Sequence, residues 1–264
     1  MARRRLDTLL AERGLYESRS RAAAAVMAGQ VHLGAERTPA AKPGQLVTDD
    51  VAVEVEAPPP FVSRGGVKLA NALNSFGIEP AGRLCLDVGA STGGFSDCLL
   101  QRGAAHVTAL DVAYGELSWK LREDPRVTVV ERRNARELRP EELDGPPDLV
   151  VIDVSFISLA KVLPAVVAAA AKRFDLLALV KPQFEVGRER VGGGGVVRSA
   201  EDRRGALTEV GRFAREELRL TVLGFASSGL PGPAGNRESF VWLAEEGREC
   251  AAEDLEEAAR RAEP

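Results

Sequence analysis

Seven short apolar runs recur in the last two thirds of the chain, at 84–88, 106–110, 127–130, 149–152, 176–180, 221–226 and 240–244. Helix-patterned stretches at 68–76, 94–102, 116–122, 157–172 and 200–217 separate most of them. An apolar run without polar alternation suits a strand covered on both faces, and strands alternating with helices build a parallel sheet. The pattern predicts an α/β fold with a mostly parallel sheet of seven strands.

Upstream the pattern differs. Leu6, Leu9 and Leu10 recur at helical spacing up to Gly14, and Ser18 or Ser20 can cap a second helix over 21–27, which stops at Gly29. Short strands are expected at 31–33 and 51–55, with Lys42-Pro43-Gly44 turning between them. This gives a small module over 1–57 and a stiff spacer over 58–62 begun by Pro58-Pro59-Pro60. The large domain is expected over 63–244. An acidic tail over 245–264 follows, with a charged, exposed helix at 248–262.

Acids outnumber bases, 39 to 35, which argues mildly against a nucleic-acid partner. The charge is uneven, however. Residues 245–264 hold eight acids and three bases, while residues 1–34 hold six arginines and three acids. A second basic stretch, 181–215, has eight bases against five acids. The acidic total is therefore compatible with RNA binding at two basic places. Cys85, Cys98 and Cys250 are too few for a disulfide framework, and with only His32 and His106 beside them no metal site is expected. No run is long enough to span a membrane and none reads as a signal peptide, so a reducing cytoplasm is the expected compartment.

The segment Asp87-Val88-Gly89-Ala90-Ser91-Thr92-Gly93-Gly94-Phe95 follows the first run and opens a helix. Glycines let a ligand approach the backbone, and a helix N-terminus offers free N–H donors. Asp111 ends the next run, where a carboxylate can accept both hydroxyls of an adenosine ribose. A nicotinamide dinucleotide fold shares these features, but its fingerprint is G-x-G-x-x-G and the third position here is Ser91. A tight turn with a packing role would also fit. The agreement of loop, strand end and spacing favours a bound cofactor.

The segment 88–95 resembles the S-adenosyl-L-methionine loop of the FtsJ-like methyltransferases. Four further segments extend the likeness. They are Ser63-Arg64-Gly65-Gly66-Val67-Lys68-Leu69, Asp111-Val112-Ala113-Tyr114-Gly115-Glu116-Leu117, Asp153-Val154-Ser155-Phe156-Ile157-Ser158-Leu159 and Lys181-Pro182-Gln183-Phe184-Glu185. With Gly195-Val196-Val197-Arg198 they are similar to the TlyA family over nearly the whole chain, with one departure at Ala113, where the family more often has glycine.

The resemblance implies a Rossmann-like class I methyltransferase sheet. It implies S-adenosyl-L-methionine-dependent 2′-O-methylation of cytidine in 16S and/or 23S ribosomal RNA. Cofactor contacts are then expected at Gly89, Ala90, Ser91, Thr92, Gly93, Gly94, Phe95, Asp111, Val112, Asn134, Ala135 and Asp153. Asn134 could meet the adenine amino group or act as a plain turn residue. Phe95 and Phe156 fit the neighbourhood of cofactor or base as well as they fit a core.

The resemblance also implies a Lys-Asp-Lys-Glu tetrad at Lys68, Asp153, Lys181 and Glu238. Two of these agree with the residues read directly: Asp153 and Lys181 follow apolar runs, at the carboxyl edge where open sheets bind ligands. Spacing alone does not single out Lys68 or Glu238. A ribose hydroxyl is a weak acid and needs a positioned base. Lys181 is the expected base, Lys68 a neighbouring cation, and the two carboxylates orient the lysines.

Arg5-Leu6-Asp7-Thr8-Leu9-Leu10, Ser18-Arg19-Ser20-Arg21-Ala22 and Gly29-Gln30-Val31-His32-Leu33 resemble the S4 RNA-binding domain, a small α/β module. RNA contacts are expected from Arg3, Arg4, Arg5, Arg13, Arg19 and Arg21 on or near its two helices. Arg64, Arg188 and Arg198 would extend them. Arg188 and Arg198 flank a glycine-rich loop, Gly192-Gly193-Gly194-Gly195, expected to be mobile and to order on RNA. Two other classes compete. A non-catalytic assembly factor is disfavoured by the intact tetrad, and the haemolysin label carried by some family members is disfavoured by the absence of any membrane-length run.

Overall fold

The computed structural model describes residues 3–56 and 59–263. The chain divides into two compact units at Pro59.

The small unit runs β1 (Arg3–Arg5), α1 (Leu6–Glu12), α2 (Arg19–Met27), β2 (Val31–Leu33), β3 (Thr38–Pro39), β4 (Leu46–Thr48) and β5 (Val53–Val55). Its core joins Leu6, Leu9 and Leu10 to Ala22, Ala25, Val26, Val31 and Val47. Ser18 caps α2 by accepting from the Arg21 N–H. Arg3, Arg4 and Arg5, expected on or near the two helices, lie immediately before α1. They form a strand paired antiparallel with β4. Three exposed arginines carry no apolar alternation, so the side-chain pattern gave no strand signal.

The large unit continues with α3 (Arg64–Phe76), β6 (Leu84–Val88), α4 (Gly94–Gln101), β7 (His106–Leu110), α5 (Trp119–Arg122), β8 (Val127–Val130), β9 (Leu149–Ile152), α6 (Leu163–Ala169), β10 (Asp175–Val180), α7 (Pro182–Glu185), α8 (Ala200–Glu216), β11 (Thr221–Ser227), β12 (Ser239–Ala244) and α9 (Leu255–Ala262). Its seven-stranded sheet has the order β11-β12-β10-β9-β6-β7-β8. β6 to β10 run parallel, and β12 inserts antiparallel between β10 and β11. Alternate strand residues feed two cores. Val150, Ile152, Leu176 and Ala178 pack with α6, α8 and α9, whereas Leu149, Val151, Leu177 and Leu179 pack with α3, α4 and α5.

The strands follow the apolar runs to within one residue. Two helices are shorter than expected. The stretch 116–122 yields only α5, and 157–172 yields a 3₁₀ turn at Leu159–Lys161 before α6, which Pro164 helps to start. The expected spacer 58–62 ends early, because Val62 donates to Asp97 Oδ2 at 2.9 Å and Gln101 donates to the Pro60 carbonyl at 2.9 Å.

The tail departs most from expectation. Residues 248–254 are not helical, and α9 is not an exposed helix. Leu255, Ala259 and Ala262 are buried in the core shared with α8 and β11. Arg248 pairs with Asp175 and Glu245, and the buried Glu263 pairs with Arg203 at 2.7 Å. Dense surrounding charge concealed the i, i+4, i+7 apolar stripe that seats the helix.

Candidate active site

The glycine loop between β6 and α4 is fixed from inside. Asp87 is fully buried, and its Oδ2 accepts from the Ser96 N–H at 2.9 Å and the Ser96 hydroxyl at 2.7 Å. Oδ1 has no partner. Burial pushes the carboxyl up to about 7, with the Asp153 and Asp111 charges adding to the rise. Gly89 has φ 85°, and a Cβ there would lie 2.4 Å from the Asp153 carbonyl oxygen, so only glycine lets these two strand ends approach. Gly93, with φ 94°, would drive a Cβ into Leu121.

Asp111 secures the loop from the neighbouring strand. Its Oδ2 accepts from the Ser91 N–H at 2.7 Å and its Oδ1 from the Ala113 N–H at 2.8 Å. Each oxygen keeps a second lone pair.

Two adjoining cavities open at the carboxyl ends of the strands. One, of about 570 Å³, is lined by Gly89, Ser91, Asp111, Val112, Asn134, Ala135 and Asp153. The other, of about 820 Å³, is lined by Arg64, Lys68, Ala90, Thr92, Gly94, Lys181, Gln183 and Glu238, among others. Gly89, Ser91, Asp153, Ser155 and Phe156 belong to both.

The structure gathers Lys68, Asp153, Lys181 and Glu238 around the larger cavity. Lys68, on α3, pairs with Glu238, just before β12, at 2.5 Å, and both side chains are buried. Lys181, at the end of β10, lies 2.6 Å from Asp153 Oδ1 at the end of β9 and donates to Ser155 Oγ at 2.8 Å. Each lysine thus meets its own carboxylate. Gly232 leaves room for Glu238, since a Cβ there would lie 2.4 Å from Oε1. Gly94 lets the two helix N-termini approach, since a Cβ there would lie 2.9 Å from the Gly66 nitrogen. That approach sets the height of Lys68 on α3.

Other expected contacts move. The Asn134 side-chain oxygen accepts from the Arg136 N–H at 3.1 Å and from Arg136 Nε at 3.3 Å, so Asn134 caps a 3₁₀ turn. Its oxygen is engaged, and the amide NH₂ is a donor, suited to a ring nitrogen of adenine rather than to the amino group. Phe95 packs in the core, 5.8 Å from Phe240 between ring centroids, and also lines the larger cavity. Phe156 is the opposite, 91% exposed with φ 63°, its ring tilted 48° against Phe184 with the centroids 5.2 Å apart. The glycine-rich loop has its own structure: Gly192 bridges Val196, and the buried Asn236 accepts from the Val197 N–H and donates to the Gly195 carbonyl. Arg188 and Arg198 are exposed on this segment outside the cavity lining, and Arg64 donates to the Pro231 carbonyl at 2.8 Å.

In the small unit the arginines divide. Arg13 donates to the Asp49 and Val51 carbonyls at 2.5 and 2.8 Å, which makes it a strut between α1 and the β4–β5 turn. Arg5 holds the buried Asp7 at 2.7 Å, and Arg4 pairs with Glu12 at 2.8 Å. Arg19 and Arg21 stand exposed in the first turn of α2, Arg19 with its Nε 3.6 Å from the same Asp7.

Ser155, Gln183, Phe184 and Asn236 line the larger cavity without having been singled out. Gln183 and Phe184 lay inside a quoted motif, but nothing in spacing distinguished them there. On the surface, Tyr114 and Trp119 are exposed, and the Arg132 guanidinium lies 4.2 Å above the Tyr114 ring. Among the described residues, no helix is long and apolar enough to cross a membrane and no group of three ligating side chains could hold a metal ion.

Comparison with known proteins agrees with both units. The family of FtsJ-like methyltransferases matches residues 61–245, and the S4 domain matches residues 4–48. The 16S/23S rRNA (cytidine-2′-O)-methyltransferase TlyA of Mycobacterium tuberculosis is 52% identical over 99% of this chain and 98% of that protein. Hemolysin A of Brachyspira hyodysenteriae is 40% identical over 74% of this chain and 80% of that protein. A solved Streptococcus thermophilus structure, named for a hemolysin, superposes with a TM-score of 0.74 at 37% identity, covering 99% of this chain and 96% of its own. The chain belongs to the FtsJ-like methyltransferase family and, within it, to the TlyA proteins.

Proposed function

We propose that the protein methylates the ribose 2′-hydroxyl of cytidine in ribosomal RNA, in the 16S and/or 23S molecule within ribosomal subunits, using S-adenosyl-L-methionine. One observation carries the reading. The Lys181 amine and the Asp153 carboxylate meet where the two cavities join. A cofactor in the smaller cavity and a nucleotide in the larger would face each other at that point. The name of the Mycobacterium tuberculosis relative specifies the same reaction.

The residues present fit the cofactor. Asp111 has a free lone pair on each oxygen for the ribose hydroxyls, Asn134 has a donor for the adenine ring, and Gly89 has no Cβ to obstruct the chain between them. When bound, S-adenosyl-L-methionine supplies an electrophilic methyl group on a sulfonium.

The protein's part is orientation and proton removal. The Lys181 amine would accept the 2′-hydroxyl proton, leaving that oxygen free to receive the methyl group. Asp153, 2.6 Å away, stabilises the ammonium as it develops. The Lys68–Glu238 pair fixes the far wall of the cavity and presents a cation to the hydroxyl oxygen. Phe156, in tilted contact with Phe184 at the mouth, offers a face for the target base. Arg19 and Arg21 of the S4 unit, with Arg64, Arg188 and Arg198, supply phosphate contacts. Such a substrate places the protein in the cytoplasm.

The test is transfer of a labelled methyl group to isolated small and large subunits, followed by mapping of the modified nucleotide. Lys181→Ala should abolish transfer while still binding S-adenosylhomocysteine. Undiminished transfer by that variant would overturn the assignment of the base.

A further inference from the structure

The loops that carry the reacting groups leave adjacent strands, 153–159 after β9 and 181–186 after β10. They meet at three places. Lys181 sits on Asp153 and Ser155, and the Phe184 ring meets the Phe156 ring at a tilt of 48°. The third contact belongs to Glu185, the last residue of α7, whose Oε2 accepts from the Ser158 hydroxyl at 2.7 Å and whose Oε1 accepts from the Leu159 N–H at 2.9 Å.

Phe156 explains why the third contact matters. It is 91% exposed, so no core packing holds its ring, and its φ of 63° lies in the left-handed region that a bulky residue rarely adopts. Such a conformation persists only where the flanking chain is fixed on both sides. On one side Lys181 grips Asp153 and Ser155. On the other, Glu185 grips Ser158 and Leu159, two and three residues beyond Phe156.

We propose that Glu185 is a positioning residue for methyl transfer: it clamps the 153–159 loop against the 181–186 loop, keeping Asp153 on Lys181 and Phe156 at the cavity mouth. The assignment rests on the reading of the larger cavity as the methyl-transfer site. Glu185 touches no reacting atom. It works through two hydrogen bonds that a carboxamide can largely reproduce, since a glutamine keeps one acceptor for the Leu159 N–H and can donate to the Ser158 hydroxyl.

The experiment compares wild type, Glu185→Gln, Glu185→Ala and Ser158→Ala in single-turnover methyl transfer to saturating ribosomal subunits, with S-adenosylhomocysteine affinity and thermal melting measured alongside. Glu185→Ala should lose at least tenfold in the single-turnover rate and less than threefold in S-adenosylhomocysteine affinity. Glu185→Gln should recover to within threefold of wild type, and Ser158→Ala should fall between them. A Glu185→Ala variant that melts cooperatively and transfers within twofold of wild type would overturn the proposal, as would a Glu185→Gln variant as slow as Glu185→Ala. If Glu185→Ala does not fold, Ser158→Ala decides, and a rate equal to wild type then counts against the clamp. Lys181→Ala is run in parallel: activity retained there condemns the reading of the site, whereas activity lost there with Glu185→Ala unaffected condemns the clamp alone.

Discussion

Lys68 and Glu238 lie 170 residues apart in the chain, and their side chains form an ion pair at 2.5 Å inside the large unit. The pair closes the cavity wall that α3 and the approach to β12 share. Removing one member leaves the other charge buried and alone, which costs about 3–5 kcal/mol. Glu238→Ala should therefore lower the melting temperature by about 10 °C. A Lys68→Met, Glu238→Leu double variant should recover much of that loss and remain inactive. Calorimetry and methyl transfer on the three proteins check both halves.

Asp87 makes the large unit sensitive to pH in a defined direction. Its carboxyl is pushed up to about 7 in the folded chain from an ordinary value of 3.8. The folded state then binds more protons than the unfolded state between those values. Stability from this group is full below the lower value and declines as pH rises towards the upper one. The stability of wild type relative to Asp87→Asn should fall by about 3 kcal/mol between pH 5 and pH 8. Denaturant titrations of both proteins at several pH values measure the difference. A flat difference would refute the raised carboxyl.

Gly89→Ala should separate cofactor binding from folding. The added methyl would sit 2.4 Å from the Asp153 carbonyl oxygen, in a backbone conformation with φ 85°. The β6 and β9 ends would have to part, moving Asp153 from Lys181. S-adenosylhomocysteine affinity should drop at least tenfold, with about 1–2 kcal/mol lost from stability through the left-handed backbone. Isothermal titration and melting report the two effects separately.

The small unit allows a test between two kinds of arginine. Arg13 is a strut to the Asp49 and Val51 carbonyls, so Arg13→Ala should destabilise the unit and leave the salt dependence of RNA binding nearly unchanged in the fraction that folds. Arg21→Ala should leave melting unaltered and lower the slope of log affinity against log salt by about one, whereas Arg19→Ala also removes an ion pair to the buried Asp7 and should cost some stability as well. Filter binding across a salt series resolves the difference.

The sheet was legible because its strands are buried on both faces and so leave unbroken apolar runs in the sequence. Asp153 and Lys181 were legible for the same reason, as the polar residues that terminate two of those runs. Lys68 and Glu238 were not, because a partner 170 residues away leaves no local mark. The strand of Arg3–Arg5 escaped notice since its signal lies in backbone pairing, not in side chains. Asn134 was left open between an adenine contact and a turn residue, and Arg13 was read as an RNA contact, because chemical type does not tell a capping amide or a strut from a free one. Glu185 stood inside a quoted motif, but its contact runs to the neighbouring strand's loop, which only the fold reveals.

β11 is the outermost strand of the sheet, and among the described residues no further strand lies beyond it to occupy its outward backbone groups. The acidic tail takes that place. The Ala252 N–H donates to the Val222 carbonyl at 2.8 Å, and α9 packs against the same strand. The segment that the composition records as surplus negative charge thus covers part of an open sheet edge, through a backbone hydrogen bond and the apolar stripe of α9. A chain ending at Ala244 would gain positive charge on paper and expose an adhesive border in practice. Its fate in solution would be edge-to-edge self-association rather than better attachment to RNA.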